Sequence, residues 1–164
     1  MALVSPALGV PLKRGSSDAY APREQAVSRF VLDASIIQTW CFSDGESQKA
    51  LEISERIASG DRVAVPAFWH HEMLNALLVG ERRKRITPEL TQTFLDDLDR
   101  LPVDVDPPPG VAVVFRAIQM LCRKHRLTAC DTAYLELAIR DNQPLATVDD
   151  DLGRAAIAEN VVVL

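Results

Sequence analysis

From Phe30 onward, short apolar runs alternate with longer stretches in which apolar residues recur every three or four positions. Phe30-Val31-Leu32-Asp33 is a brief apolar run ending in an acid, which predicts a buried strand. Residues 45–59 set Ala50, Leu51, Ile53, Ile57 and Ala58 close to helical spacing, and Gly60 supplies a stop. Arg62 to Pro66 predicts a second strand through Val63 and Val65, and residues 67–80 a helix that Gly80 closes. Thr87-Pro88 is a helix start, a hydroxyl cap followed by proline where its missing N–H costs nothing. That helix carries Leu90, Phe94, Leu95 and Leu98. Val103 to Asp106 is a short strand cut off by Pro107, Pro108 and Pro109. Residues 111–125 return to helical spacing. Thr128 caps a further helix to about Arg140, with Ala133, Tyr134, Leu137 and Ala138 on its apolar face. Leu145 to Val148 predicts a strand, 152–159 a short helix, and Val161 to Leu164 a last strand.

Strands alternating with helices predict a three-layer α/β/α sandwich around a mostly parallel sheet of about five strands. Residues 1–28 are rich in Pro, Gly, Ser and Ala without periodicity and read as a mobile N-terminal extension to a domain spanning 29–164. In such sheets ligands bind beyond the carboxyl ends of the strands, so the residues there carry the functional question.

Four acids stand in apolar or small surroundings, where a carboxylate is costly unless paired, hydrogen-bonded or bound to metal. Asp33 ends the first strand; its plain alternative is a helix N-cap. Glu72 lies in the apolar helix Phe68-Trp69-His70-His71-Glu72-Met73-Leu74, three residues before Asn75 on the same face. Its alternative is an exposed acid favoured by the helix dipole. Asp131, in Thr128-Ala129-Cys130-Asp131-Thr132, has that same alternative. Asp149 follows Leu145-Ala146-Thr147-Val148 and opens an acidic run with Asp150 and Asp151, which also suits a solvated turn. Each reading stays open for each residue alone. Together, a parallel sheet can bring all four to one edge.

Four bare carboxylates in a small site would repel and hold protons. A hard divalent cation, Mg²⁺ or Mn²⁺, relieves this and also binds phosphate. The expected chemistry is phosphodiester hydrolysis by metal-activated water. Asp33, Glu72, Asp131 and Asp149 are the expected ligands and catalytic groups, with Ser35, Asn75 and Thr147 orienting them. His71-Glu72 is not a zinc-protease motif, because position 75 is Asn rather than a second His. Arg82-Arg83-Lys84-Arg85 suits either a solvated helix end or weak contact with RNA phosphates.

Composition adds bounds. The 164 residues suit one domain, 48% hydrophobic and 25% charged. A net charge of −5 argues against simple coating of nucleic acid, though not against an enzyme acting on it. No apolar run reaches membrane-helix length, and the first residues lack a secretory leader pattern. Cys41, Cys122 and Cys130 are scattered, which fits a reducing, cytoplasmic setting.

At these residues the chain resembles the PIN-domain nucleases, in particular the VapC-type toxins of toxin–antitoxin pairs. Val31-Leu32-Asp33-Ala34-Ser35 resembles the family's opening motif and Glu72-Met73-Leu74-Asn75-Ala76-Leu77 its second. Leu127 to Ala138, around Asp131, resembles the third, and Leu145 to Leu152, around Asp149, the fourth. Position 130 is Cys, where the family often has an aromatic residue. The resemblance covers Phe30 to about Leu164 and implies Mg²⁺- or Mn²⁺-dependent cleavage of RNA. It also implies a homodimer and inhibition by a small cognate antitoxin protein, with the helices 45–59 and 87–100 contributing to those surfaces. Three other readings stand beside it: an acidic-cluster nuclease acting on DNA, a catalytically inactive binding module of the same fold, and a phosphorylated receiver domain. The receiver reading fits poorly, since Pro107 follows the third strand where a phosphoacceptor Asp is required.

Overall fold

The computed structural model describes residues 28–42 and 47–164. Before them it describes only two paired segments, β1 (Leu3–Val4) and β2 (Pro11–Leu12), which run antiparallel. The expectation of a mobile extension otherwise falls outside the described residues. The main sheet begins with β3 (Arg29–Leu32), whose Phe30, Val31 and Leu32 are wholly buried. A four-residue run buried on both faces is what a central parallel strand requires.

Then come α1 (Ala34–Phe42), α2 (Gln48–Ala58), β4 (Arg62–Val65), α3 (Trp69–Arg82), α4 (Pro88–Leu98) and β5 (Val103–Val105). A π-helical segment (Val113–Ile118) leads into α5 (Gln119–His125), followed by α6 (Ala129–Asp141), β6 (Leu145–Ala146) and α7 (Asp150–Ala158). The strand order is β5-β4-β3-β6, with every neighbouring pair parallel. On one side α1 packs against α2 and α3, and α3 against α4. On the other α6 packs on β3 and β6 and against α5 and α7. The result is the expected three-layer α/β/α sandwich.

Four strands stand where about five were expected. Val161–Leu164 makes a single parallel bridge, Leu145 to Val163, flanked by Leu145 N–H donating to Val162 O at 2.9 Å and Leu164 N–H to Leu145 O at 2.9 Å. It takes the edge position beyond β6 without continuing as a strand. The sequence reading admits α1 only through the alternative of Asp33 as a helix N-cap. Ser35, Gln38 and Thr39 do share one helical face, but the paired β-branched isoleucines of Ala34-Ser35-Ile36-Ile37-Gln38-Thr39-Trp40 favour extended backbone. Tertiary burial of Ala34, Ile36 and Ile37 overrides that preference. The stretch 111–125 is helical as expected, but it opens with the wider π turn, which the sequence period over six residues cannot separate from an α-helix.

Local chemistry accounts for the helix ends. Thr87 Oγ1 accepts from Leu90 N–H at 3.3 Å, with Pro88 in the first turn. Asn142 ends α6 in the left-handed region at φ 51°, a conformation asparagine tolerates. The topology then sets the site. After β3 the chain moves outward to β4 and β5, and later crosses back to lay β6 on the other side of β3. The reversal leaves a crevice at the carboxyl ends of β3 and β6.

Gly80 of α3 packs against the end of α1: a Cβ built there would collide with the Phe42 ring. The Phe42 ring is itself held by the Arg85 guanidinium, 4.4 Å from its centroid. Gly80→Val is therefore expected to destabilise the fold by about 1–3 kcal/mol through overpacking. Adding Phe42→Ala should recover part of the loss in denaturant unfolding, whereas additive losses would show that the two positions do not meet.

Candidate active site

Asp33 is the first residue beyond β3, and its backbone N–H donates to Ala146 O of β6 at 3.0 Å. That bond fixes the Asp33 side chain at the seam between the two strands. The carboxylate is 4% exposed. Ser35 Oγ–H donates to Asp33 Oδ2, and Thr147 Oγ1–H donates to the same oxygen at 2.7 Å. With both protons committed there, the 3.3 Å approach of Ser35 Oγ to Thr147 Oγ1 is a contact rather than a further bond. The two hydroxyl oxygens also accept backbone amides, Ser35 from Val148 at 3.1 Å and Thr147 from Asp149 at 3.0 Å. One buried carboxylate and two hydroxyls thus tie α1 to the loop that carries Asp149.

Glu72 projects from the first turn of α3 and is partly buried. The Tyr134 hydroxyl, from the second turn of α6, donates to Glu72 Oε2. Asp131 lies in the first turn of α6, where Thr128 Oγ1 caps the helix by accepting Asp131 N–H at 3.2 Å. The same hydroxyl donates its proton to Asp131 Oδ2 at 2.6 Å. Asp149 is the N-cap of α7, its Oδ1 accepting Leu152 N–H at 2.8 Å. For Asp149, capping is therefore realised, and its second oxygen is left over.

Electrostatics groups the acids. Burial raises Asp33 above the ordinary aspartate value; its two hydroxyl partners oppose that rise, and the charges of Asp131 and Asp149 add to it. Burial likewise raises Glu72, the Tyr134 hydrogen bond opposes it, and Asp33 and Asp131 add to the rise. Cys130 is exposed, and its thiol is pushed up by desolvation and then by Glu72 and Asp131, so it borders the same acidic centre. The four acids therefore share one field at the crevice.

The donor set suits a hard divalent cation. Each carboxylate has one oxygen anchored, by Ser35 and Thr147, by Tyr134, by Thr128, or by the Leu152 amide. Among the described residues the other oxygen of each accepts no hydrogen bond, and none of the four is a sealed, unpartnered atom. Among the described residues no Lys, Arg or His forms a salt bridge with Asp33, Glu72, Asp131 or Asp149. Among the described residues no group of three or more His, Cys, Asp or Glu side chains stands close enough to hold one metal ion, so a cation here would take only some of the four acids directly. Mg²⁺ commonly keeps several waters and takes only one or two carboxylates directly, so an open arrangement suits it.

Other expected residues lie elsewhere. Asn75 is exposed and makes no hydrogen bond to the four acids among the described residues. It shares a helix with Glu72 without a hydrogen bond to it. Although apolar in sequence, α3 is not buried on all sides, for Leu74 and Leu78 are 42% and 39% exposed. Arg82 to Arg85 sit at the far end of α3 and just beyond it, about 15 Å along the axis from Glu72 at 1.5 Å per residue. They lie outside the crevice. Tyr134 was read only as an apolar-face residue and Thr128 only as a cap. The spacing of Asp131 and Tyr134, three apart on one helical face, was the available signal. No helix of the described residues is long and apolar enough to cross a membrane.

Comparison with known proteins agrees with this architecture. A family model described as PIN domain matches residues 30–158. Among solved structures, the crystal structure of PAE2754 from Pyrobaculum aerophilum superposes with a TM-score of 0.59 over 84% of this chain and 84% of that chain, at 19% identity. Identity that low speaks for shared fold alone. No curated protein matches the chain.

The raised carboxylates make stability depend on pH. Asp33 and Glu72 hold their protons more tightly folded than unfolded. Their contribution is therefore fully present below the unfolded carboxylate value, near pH 4, and is lost as pH rises through the higher folded values. Kept in EDTA, the protein should melt at progressively lower temperature as pH rises through that window. Asp33→Asn, which keeps an oxygen for the two hydroxyls and carries no charge, should flatten the dependence. An unchanged slope in melts followed by circular dichroism would show that Asp33 ionises without strain.

Proposed function

This chain belongs to the PIN-domain family, and from that premise we propose that it is a divalent-metal-dependent endoribonuclease, the toxin of a type II toxin–antitoxin pair. Membership brings nuclease chemistry, hydrolysis of a phosphodiester, as the general activity. The observation that carries the finer reading is the set of four carboxylates at the crevice, each held by one oxygen and open at the other.

In this reading the open oxygens of Asp33, Glu72, Asp131 and Asp149 hold Mg²⁺ or Mn²⁺. The metal, when bound, supplies Lewis acidity and a water activated for attack on phosphorus. The chain supplies position. Ser35 and Thr147 hold the Asp33 carboxylate against rotation and tie it to the Asp149 loop. Thr128 does the same for Asp131. Burial of Asp33 keeps water from screening its charge, which strengthens its hold on a cation. The RNA backbone approaches the acidic crevice only when the cation has reversed its local sign. Arg82, Arg83, Lys84 and Arg85, about 15 Å away along α3, are placed to meet phosphates a few nucleotides from the cleaved bond.

The partners in this reading are RNA, a second copy of the chain as a homodimer, and a small cognate antitoxin. Leu74 and Leu78 of α3 and Leu90 of α4 lie exposed in the isolated chain, which favours protein partners on that side. A catalytically inactive binding module of the same fold, or a nuclease acting on DNA, is the competing reading.

Purified protein should cleave RNA with Mg²⁺ or Mn²⁺ and stop when EDTA is added. Asp33→Ala and Asp131→Ala should each lower the rate by more than the roughly 10–100-fold typical of outer-shell changes, with folding intact by circular dichroism. Equal cleavage by the wild type and both variants would assign the activity to a contaminant. Faster cleavage of DNA of the same sequence would replace the ribonuclease reading with the DNA one, and failure to bind Mn²⁺ would favour the inactive module.

A further inference from the structure

Among the described residues Tyr134 is the aromatic side chain that donates a hydrogen bond to one of the four acids from inside the core. It is fully buried, and its ring packs edge-on against Phe68 at 5.8 Å, so its position is set by the fold before any ligand arrives. Its hydroxyl donates to Glu72 Oε2. That bond joins the first turn of α3 to Tyr134's own helix, α6, where Asp131 lies one turn earlier.

The consequence for Glu72 is specific. Glutamate has one more side-chain torsion than aspartate, and Glu72 is the only glutamate of the four acids. Asp33 is held by two hydroxyls, Ser35 and Thr147, and Asp131 by the hydroxyl of its own helix cap, Thr128, whereas the Tyr134 hydroxyl, 62 residues away, is what meets Glu72. No other hydrogen bond to its carboxylate exists among the described residues. We propose that Tyr134 is a positioning residue: its hydroxyl pins Glu72 through Oε2 so that Oε1 is presented to a divalent cation at the crevice. This inference rests on the proposed reading that the carboxylates hold such a cation.

A donor to a ligating carboxylate typically changes metal affinity by about 10–100-fold when it is removed. Tyr134→Phe keeps the ring and its packing and deletes only the hydroxyl. In the full chain, Mn²⁺ affinity measured by isothermal titration calorimetry should fall by about 10-fold or more. Tyr134→4-aminophenylalanine restores a donor at the same place and should recover most of the affinity, and it serves as the test should Tyr134→Phe fail to fold. Because the hydroxyl acts through Glu72, adding Tyr134→Phe to Glu72→Gln should cause little further loss.

Unchanged Mn²⁺ affinity in Tyr134→Phe would overturn the inference while leaving the metal site standing. An equal loss in the Glu72→Gln background would also overturn it, because the ring would then act through packing. A wild-type chain that binds no Mn²⁺ would overturn the metal-dependent reading itself and the inference with it.

Discussion

The burial of one carboxylate at the end of the central strand is the constraint on which the site depends. Asp33 sits where β3 and β6 meet, 4% exposed, with no cationic side chain paired to it among the described residues. A carboxylate in that position is tolerable only if other groups satisfy it. Two hydroxyls do part of this. Ser35 and Thr147 both donate to one oxygen, and in doing so they lock the β3–α1 turn to the β6–α7 loop. The same polar knot holds the acid and ties together the two segments that border the crevice, so fold and chemistry meet in three side chains.

The remaining acids extend that logic from different elements. Glu72 comes from α3, Asp131 from α6 and Asp149 from the cap of α7, and each is held by one oxygen. Elsewhere the protein pairs its charges. Arg29 meets Asp104 and Asp141, and Arg140 meets Asp106, Glu136 and Asp141. Arg29 fastens the start of β3 to β5 and to the end of α6, and Arg140 reaches Asp106 just beyond β5. Among the described residues Asp33, Glu72, Asp131 and Asp149 differ from these acids in having no cationic partner.

Much of this was legible in the chain. Buried strands announced themselves as the runs at 30–33 and 62–66, and the caps at Thr87 and Thr128 matched local hydrogen-bond geometry. The four acids were legible because a carboxylate among apolar residues at a strand end or first helical turn has few explanations. Less legible was anything that depends on partners distant in sequence. α1 carries paired β-branched isoleucines that disfavour a helix, and its burial against α2 and α3 makes it helical. Asn75 shares the Glu72 helix and looked like its companion, yet it is exposed. The hydroxyl that meets Glu72 comes instead from Tyr134, 62 residues away.

By itself the sequence determined the alternation of strand and helix, the identity of the four acids and their places at element ends. These follow from periodicity and capping, which act over a few residues and need no knowledge of the fold. Only the tertiary structure decided which oxygen of each acid is anchored and which distant hydroxyl holds it, Thr147 for Asp33 and Tyr134 for Glu72. Those are matters of angle and distance between segments far apart in the chain. They exist only once burial of the apolar faces has set β6 beside β3 and α6 beside the start of α3.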